Sequence, residues 1–168
     1  MSVTTPANTE AIASLIRHHC AAIRSPRVVA SGNAATPYAL LALVDSVLKE
    51  YRLNMINASP GIPSRAGVVH ETSFVGPGMR HSPTLAYVPA RLSLVPTLFS
   101  RTLFPDIVVV HTSAPVNGKV SLGIEINIIP AAIETVRHRG GLVLAQVNEK
   151  MPYTFGDGEY ELYSFDGW

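Results

Sequence analysis

Hydrophobic patterning along the chain is strongest over residues 105–125. Four consecutive β-branched residues, Ile107, Val108, Val109 and Val110, read as a strand buried on both faces, the pattern of a parallel α/β sheet. Small polar residues and Pro115 end the strand, because proline cannot continue the ladder. Asn117 and Gly118 then supply a turn into a second extended run over 120–124.

On either side, strand-like and helix-like periods alternate. Ile12, Leu15, Ile16, Cys20 and Ile23 fall on one face of a helix over 9–24, with Thr9 as N-cap and Pro26 beyond its end. Residues 27–31 read as a strand, and Thr36 at the N-cap with Pro37 at the first helical position announces a helix over 38–50. A short strand is expected at 53–57, a Pro/Gly-rich loop at 58–67 and an extended stretch at 70–76. An amphipathic helix follows over 92–102, then a helix over 128–139 closed by Gly140 and Gly141, and a buried strand over 142–147. This alternation predicts an α/β fold with a largely parallel sheet.

Composition sharpens the picture. Of 168 residues 47% are hydrophobic and only 15% charged, against about 25% charged in ordinary soluble domains. So sparse a charge is expected where a second domain or subunit covers part of the surface, although a neutral, rather apolar monomer would look the same. A net charge of +1 without a basic run argues against nucleic acid as a partner. Apolar runs such as 40–44 are far shorter than the roughly 18 residues a membrane span needs. No basic segment precedes an apolar stretch at the N-terminus, so no membrane association and a cytoplasmic location are expected. The single cysteine, Cys20, leaves no intrachain disulfide and no cysteine metal cluster, and reads as an apolar filler.

Candidate chemistry concentrates after the strands, where open α/β sheets bind ligands. Gly32, Asn33, Ala34, Ala35 and Thr36 form a strand–loop–helix turn whose backbone N–H groups and helix N-terminus suit an anion, though such turns also arise for packing alone. The turn is neither a G-x-G-x-x-G fingerprint nor a Walker motif. Gly76, Pro77, Gly78, Met79 and Arg80 form a tight turn that can approach a ligand or a neighbouring chain. The Arg80 guanidinium suits a carboxylate or phosphate, or a structural ion pair. His70, Glu71 and His81 are the local titratable cluster, but metal-site spacing is missing and a structural role is the favoured reading. The 111–118 loop suits lining a pocket and holds no nucleophile with its base.

Several stretches, taken together and in order, resemble the acetyl-CoA hydrolase/transferase family, which includes 4-hydroxybutyrate and acetate CoA-transferases. They are Ser-Gly-Asn-Ala-Ala-Thr-Pro at 31–37, Phe-Val-Gly-Pro-Gly-Met-Arg at 74–80, and Tyr-Val-Pro-Ala-Arg-Leu-Ser-Leu-Val-Pro-Thr-Leu-Phe at 87–99. The strand, Ser-x-Pro loop and Ser-Leu-Gly segment over 105–124 follow, and then 145–152 with 154–157, so that the resemblance covers about residues 27–157. It implies a three-layer α/β domain of the NagB/RpiA/CoA-transferase-like fold, with a mostly parallel sheet flanked by helices. Residues 1–168 are expected to be a single domain equivalent to the family's first.

The family's catalytic glutamate, which forms the glutamyl-CoA thioester, belongs to the second domain and has no counterpart here, so no catalytic residue is assigned. Glu125, after the Ser-Leu-Gly segment, is the nearest acidic candidate. Tyr153 stands where family domains commonly carry an arginine. The resemblance further implies a coenzyme A thioester as substrate, a small carboxylate as acceptor, no metal, an oligomer, and a partner subunit or missing domain that supplies the glutamate. Carried over, Gly32, Asn33, Ala34, Ala35, Thr36, Gly76, Pro77, Gly78, Met79, Arg80, Ser113, Ser121 and Gly123 line the cleft between the two domains, with polar atoms of Asn33, Thr36 and Ser113 shaping the acyl or carboxylate pocket.

Three functions are compatible with these features. The first is the N-terminal half of an acyl-CoA:carboxylate CoA-transferase or acyl-CoA hydrolase, inactive alone. The second is a non-catalytic ligand-binding or regulatory module derived from it. The third, least favoured, is a self-sufficient enzyme using His70 with Glu71, or Glu125.

Overall fold

The computed structural model describes residues 9–168. In chain order the elements are α1 (Thr9–Cys20), β1 (Arg27–Ala30), α2 (Tyr38–Val47), β2 (Tyr51–Asn54), β3 (Val68–Thr72), β4 (Leu85–Tyr87), α3 (Val95–Arg101), β5 (Ile107–Ser113), β6 (Lys119–Ser121), α4 (Ile129–His138), β7 (Leu142–Asn148) and β8 (Glu159–Glu161). Six strands form one parallel sheet in the order β4-β3-β2-β1-β5-β7, while β6 and β8 pair antiparallel beside it. The expected three-layer α/β architecture is the one found.

Every residue of β5 is buried. Ile107 and Val109 face the layer of α1 and α2, packing with Ile16, Leu41 and Val44. Val108 and Val110 face the layer of α3 and α4, packing with Phe99, Ile129 and Ile133. Strict alternation of side chains explains why the apolar run is unbroken: each position leaves water on one face or the other. Each such side chain contributes about 1.5–3 kcal/mol by its burial, which makes this strand the centre of the fold.

Several element boundaries depart from the sequence expectations. α1 ends at Cys20, before Ile23. The helix expected to 50 stops at Val47, because the Arg65 side chain satisfies its last carbonyls, donating to Asp45 O at 3.0 Å and to Leu48 O, while pairing with the Asp45 carboxylate at 3.0 Å. β2 therefore begins at Tyr51, whose ring is fully buried and whose hydroxyl donates to Asp45 Oδ1 at 3.0 Å. Thr36 is not the N-cap of α2. Its hydroxyl donates back to Asn33 O at 2.7 Å, Pro37 occupies the cap, and Leu40 N donates to Gln146 Oε1 of β7 at 3.1 Å. The 92–102 helix is a 3-10 turn over Leu92–Leu94 followed by α3, and the run after Gly118 is strand only to Ser121. β4 and β8, three residues each, are too short to have a readable period. Gly140, at φ +73°, closes α4 as expected, with Gly141 N donating to Val136 O at 2.9 Å.

Among the described residues no helix is long and apolar enough to cross a membrane.

Candidate functional site

The sheet order reverses between β1 and β5. The chain steps outward from β1 through β2 and β3 to β4, then returns to the far side of β1 as β5. In an open parallel sheet the loops that diverge at such a point leave a crevice beyond the strand carboxyl ends. Here the loop after β1, which carries Gly32 to Thr36, and the end of β5 at Ser113 flank that point.

The loops after β1, β2 and β3 are packed backbone against backbone. A Cβ on Gly32 would land on the Ile56 carbonyl oxygen, one on Gly76 on the Asn57–Ala58 peptide, and one on Gly78 on the Ser59 carbonyl oxygen. These glycines are thus required for neighbouring loops to nest. The close approach expected of the Gly76-Pro77-Gly78 turn is made to the loop after β2. Met79 is buried beneath it, while Arg80 is exposed at its end.

Asn33 is the hub of this unit. It sits at φ +50°, a left-handed conformation that asparagine tolerates better than most residues. Its N–H donates to Asn57 O at 3.1 Å, and its carbonyl accepts from Thr36 Oγ1 at 2.7 Å and Ser59 Oγ at 3.0 Å. Its Oδ1 accepts from Asn57 Nδ2, and its Nδ2 donates to Glu125 Oε2 at 2.5 Å. Asn57, itself at φ +48°, joins the site without having been singled out in the sequence, whereas Glu125, the nearest acidic candidate there, joins it as a hydrogen-bond acceptor. The hint for Asn57 was only that asparagine in a post-strand loop favours positive φ.

Glu125 is 1% exposed, and its second oxygen accepts from Asn127 Nδ2 at 2.9 Å. Both oxygens are committed to carboxamides and water is excluded, an arrangement unsuited to a nucleophile that must reach a thioester.

Ser113, Ser121 and Gly123 form a second hydrogen-bonded unit. Ser113 Oγ donates to Ala114 O at 2.9 Å and accepts from Ser121 N at 3.0 Å. Ser121 Oγ lies 2.8 Å from Thr154 Oγ1 and accepts from Gly123 N at 3.0 Å and Thr154 N at 3.1 Å. Gly123, at φ +63°, leaves room for Met151 of the segment after β7. Ser31 Oγ and Thr112 Oγ1, at the ends of β1 and β5, are buried and find no hydrogen-bond partner among the described residues. Beneath them His111 points the other way, toward the carbonyls of Ala35 and Thr36; burial lowers its pKa, and those carbonyls only partly offset the effect.

His70 and Glu71 do not form a couple, since successive side chains of β3 point to opposite faces. His70 Nε2 lies 2.7 Å from Pro63 O. Glu71 accepts from Arg27 Nε at 2.7 Å and Nη2 at 3.1 Å, and from Arg52 Nη1 at 2.7 Å. Burial alone would raise the Glu71 pKa, but the two guanidinium groups outweigh it and hold the carboxyl below its ordinary value. His81 is exposed. Among the described residues no three His, Cys, Asp or Glu side chains come together as a metal site.

Tyr153 donates its hydroxyl to Glu159 Oε1 at 2.7 Å. Among the large apolar side chains left exposed in the described residues, Phe74, Tyr87, Leu92, Leu94, Val116 and Phe155 lie at or shortly after the carboxyl ends of β3, β4, β5 and β7. Phe155 is 85% exposed, and Ile124 and Ile126, half exposed, follow β6 of the antiparallel pair. Grooves of about 730 Å³ against the outer face of α4 and about 500 Å³ between α3 and α4 lie elsewhere.

No protein-family model and no curated protein matches the chain. Solved structures do. RipA from Yersinia pestis superposes with a TM-score of 0.74 at 17% identity, over 95% of this chain and 43% of RipA. Two point variants of RipA match with TM-scores of 0.76 and 0.75, at 17% and 18% identity, each over 95% of this chain and 42% of theirs. The chain thus spans a little over two fifths of the length of these proteins. At such low identity the likeness establishes the fold.

Proposed function

We propose that the chain is the pocket-lining half of an acyl-CoA:carboxylate CoA-transferase or acyl-CoA hydrolase, completed by a second domain or subunit that supplies the catalytic glutamate. The observation that carries this reading is the group of exposed large apolar side chains at or after the carboxyl ends of β3, β4, β5 and β7. A monomer has no need to leave these large apolar residues exposed at strand carboxyl ends; a domain that docks a partner there does. The fold shared with RipA, in chains more than twice as long, supports a CoA-transferase-related domain.

In this reading the two halves meet over the crevice. The partner's carboxylate attacks the thioester carbonyl and expels coenzyme A as thiolate. The thiolate then attacks the glutamyl carbonyl of the resulting mixed anhydride, expelling the first carboxylate and leaving the glutamyl-CoA thioester; an acceptor carboxylate takes coenzyme A from it by the reverse pair of exchanges, or water hydrolyses it. The present chain contributes the acyl or carboxylate pocket from the Gly32 to Thr36, Gly76 to Arg80 and Ser113 to Gly123 loops. Glu125, held by Asn33 and Asn127, stays out of the covalent chemistry.

The test is thioester exchange between acetyl-CoA and a second carboxylate. The purified chain is assayed alone and mixed with a polypeptide carrying the glutamate domain. Turnover only in the mixture is expected, with the nucleophile trapped on the added polypeptide. Turnover by the chain alone would overturn the assignment, and complex formation without turnover would make the chain a binding module.

A further inference from the structure

We propose that Glu125 is a positioning residue: its carboxylate orients the Asn33 side chain and, through it, holds the 33–36 loop in the conformation the crevice presents. The inference rests on reading the crevice as the ligand site, but its test reads the loop and not turnover, so the two can fail separately.

The argument begins with an expense. Glu125 is 1% exposed, and no ion pair among the described residues includes it. A buried carboxylate met only by neutral donors is costly, and a side chain needed only to fill space would be apolar here. Its neighbours Ile124 and Ile126 are about half exposed, so the segment turns its apolar side chains out and its charge in.

What the charge does follows from donor and acceptor inventory. A carboxamide offers an oxygen on one side and an NH₂ on the other, and can flip between them. An ionised carboxylate only accepts, so it admits the Asn33 NH₂ and excludes its oxygen. That choice turns Asn33 Oδ1 toward Asn57 Nδ2, which locks the loop after β1 to the loop after β2. Asn33 also accepts one of the backbone bonds that close the turn, from Thr36 N at 3.3 Å, beside the bond from Ala35 N to Gly32 O at 3.0 Å. Ala35 is fully buried and Ala34 exposed, so the order of this turn decides which backbone groups face the crevice.

Amide hydrogen exchange by NMR on the full chain tests the proposal. In Glu125→Ala the Ala35 and Thr36 amides should exchange about ten- to a hundredfold faster, as expected for losing a charge-assisted hydrogen bond. The amides of Val108 to Val110 in β5 should stay as slow as before. Glu125→Gln keeps an acceptor for Asn33 Nδ2 and can donate to a flipped Asn127. It should bring the loop back to within about threefold of the wild-type rates. Asn33→Ala cuts the same link from the other side and should reproduce the loop-limited acceleration, which covers the case in which Glu125→Ala does not fold. Unchanged loop exchange, equal acceleration in β5, or a Gln variant no better than Ala would each overturn the proposal.

Discussion

Removing the Glu71 carboxylate should cost the protein stability while leaving its site loops in place. In Glu71→Ala, Arg27 loses a two-point contact with an almost wholly buried carboxylate; its own side chain is 16% exposed and keeps only the 3.1 Å bond to Phe104 O. Arg52 is 43% exposed and can turn to water, so its share is under about 1 kcal/mol. Stranding the buried guanidinium dominates, at about 3–4 kcal/mol, the lower part of the range for breaking a buried pair. For a chain of this length that lowers Tm by roughly 10 °C. Urea unfolding followed by circular dichroism should show a lower midpoint at unchanged slope. Arg27→Met combined with Glu71→Leu should recover most of the loss, since an apolar pair strands no charge. The pH dependence has a definite sign. The folded carboxyl titrates below its unfolded value, so the unfolded state binds more protons in acid. The stabilisation is complete above about pH 5 and is lost as pH falls through the folded pKa. A loss below about 1 kcal/mol in Glu71→Ala would refute the reasoning and reopen a chemical role for this residue.

Three further outcomes are expected. Gly78→Ala should destabilise by about 2 kcal/mol or more, because the new Cβ meets backbone at Ser59 and not a yielding side chain; thermal unfolding checks this, and an unchanged Tm contradicts the nested-loop geometry. The Cys20 thiol, pushed up to about 11 first by burial and then by the Asp106 carboxylate, should be alkylated by iodoacetamide at pH 8 at least tenfold more slowly in the native chain than in urea, read by mass spectrometry. In the reconstituted enzyme, Asn33→Ala with Ser113→Ala should lower turnover at least tenfold at temperatures where the chain remains folded, since together they release both loops that flank the crevice; unchanged kinetics would remove these loops from the pocket.

Much of the fold was legible in the chain because period and residue type report which face of an element is buried. Ile107 to Val110 announced a two-sided strand, and the spacing of Ile12, Ile16 and Cys20 a one-sided helix, since both patterns are local. The positions of Gly32, Gly76 and Gly78 were marked as tight turns for the same reason. Neighbours were not legible. Which strands adjoin, and hence that the order reverses between β1 and β5, depends on how two helical layers cover one sheet. The partners of polar groups likewise lie far along the chain: Asn33 finds Glu125 across 92 positions, and Arg27 finds Glu71 across 44. Tertiary structure therefore decided that the glycines serve neighbouring loops, that Glu71 is an ion-pair anchor, that Arg65 ends α2, and that a buried carboxylate holds the loop beside the crevice. Hydrophobic burial sums over local patterns, whereas hydrogen bonds and ion pairs require particular atoms within about 3 Å, and only the folded chain brings those atoms together.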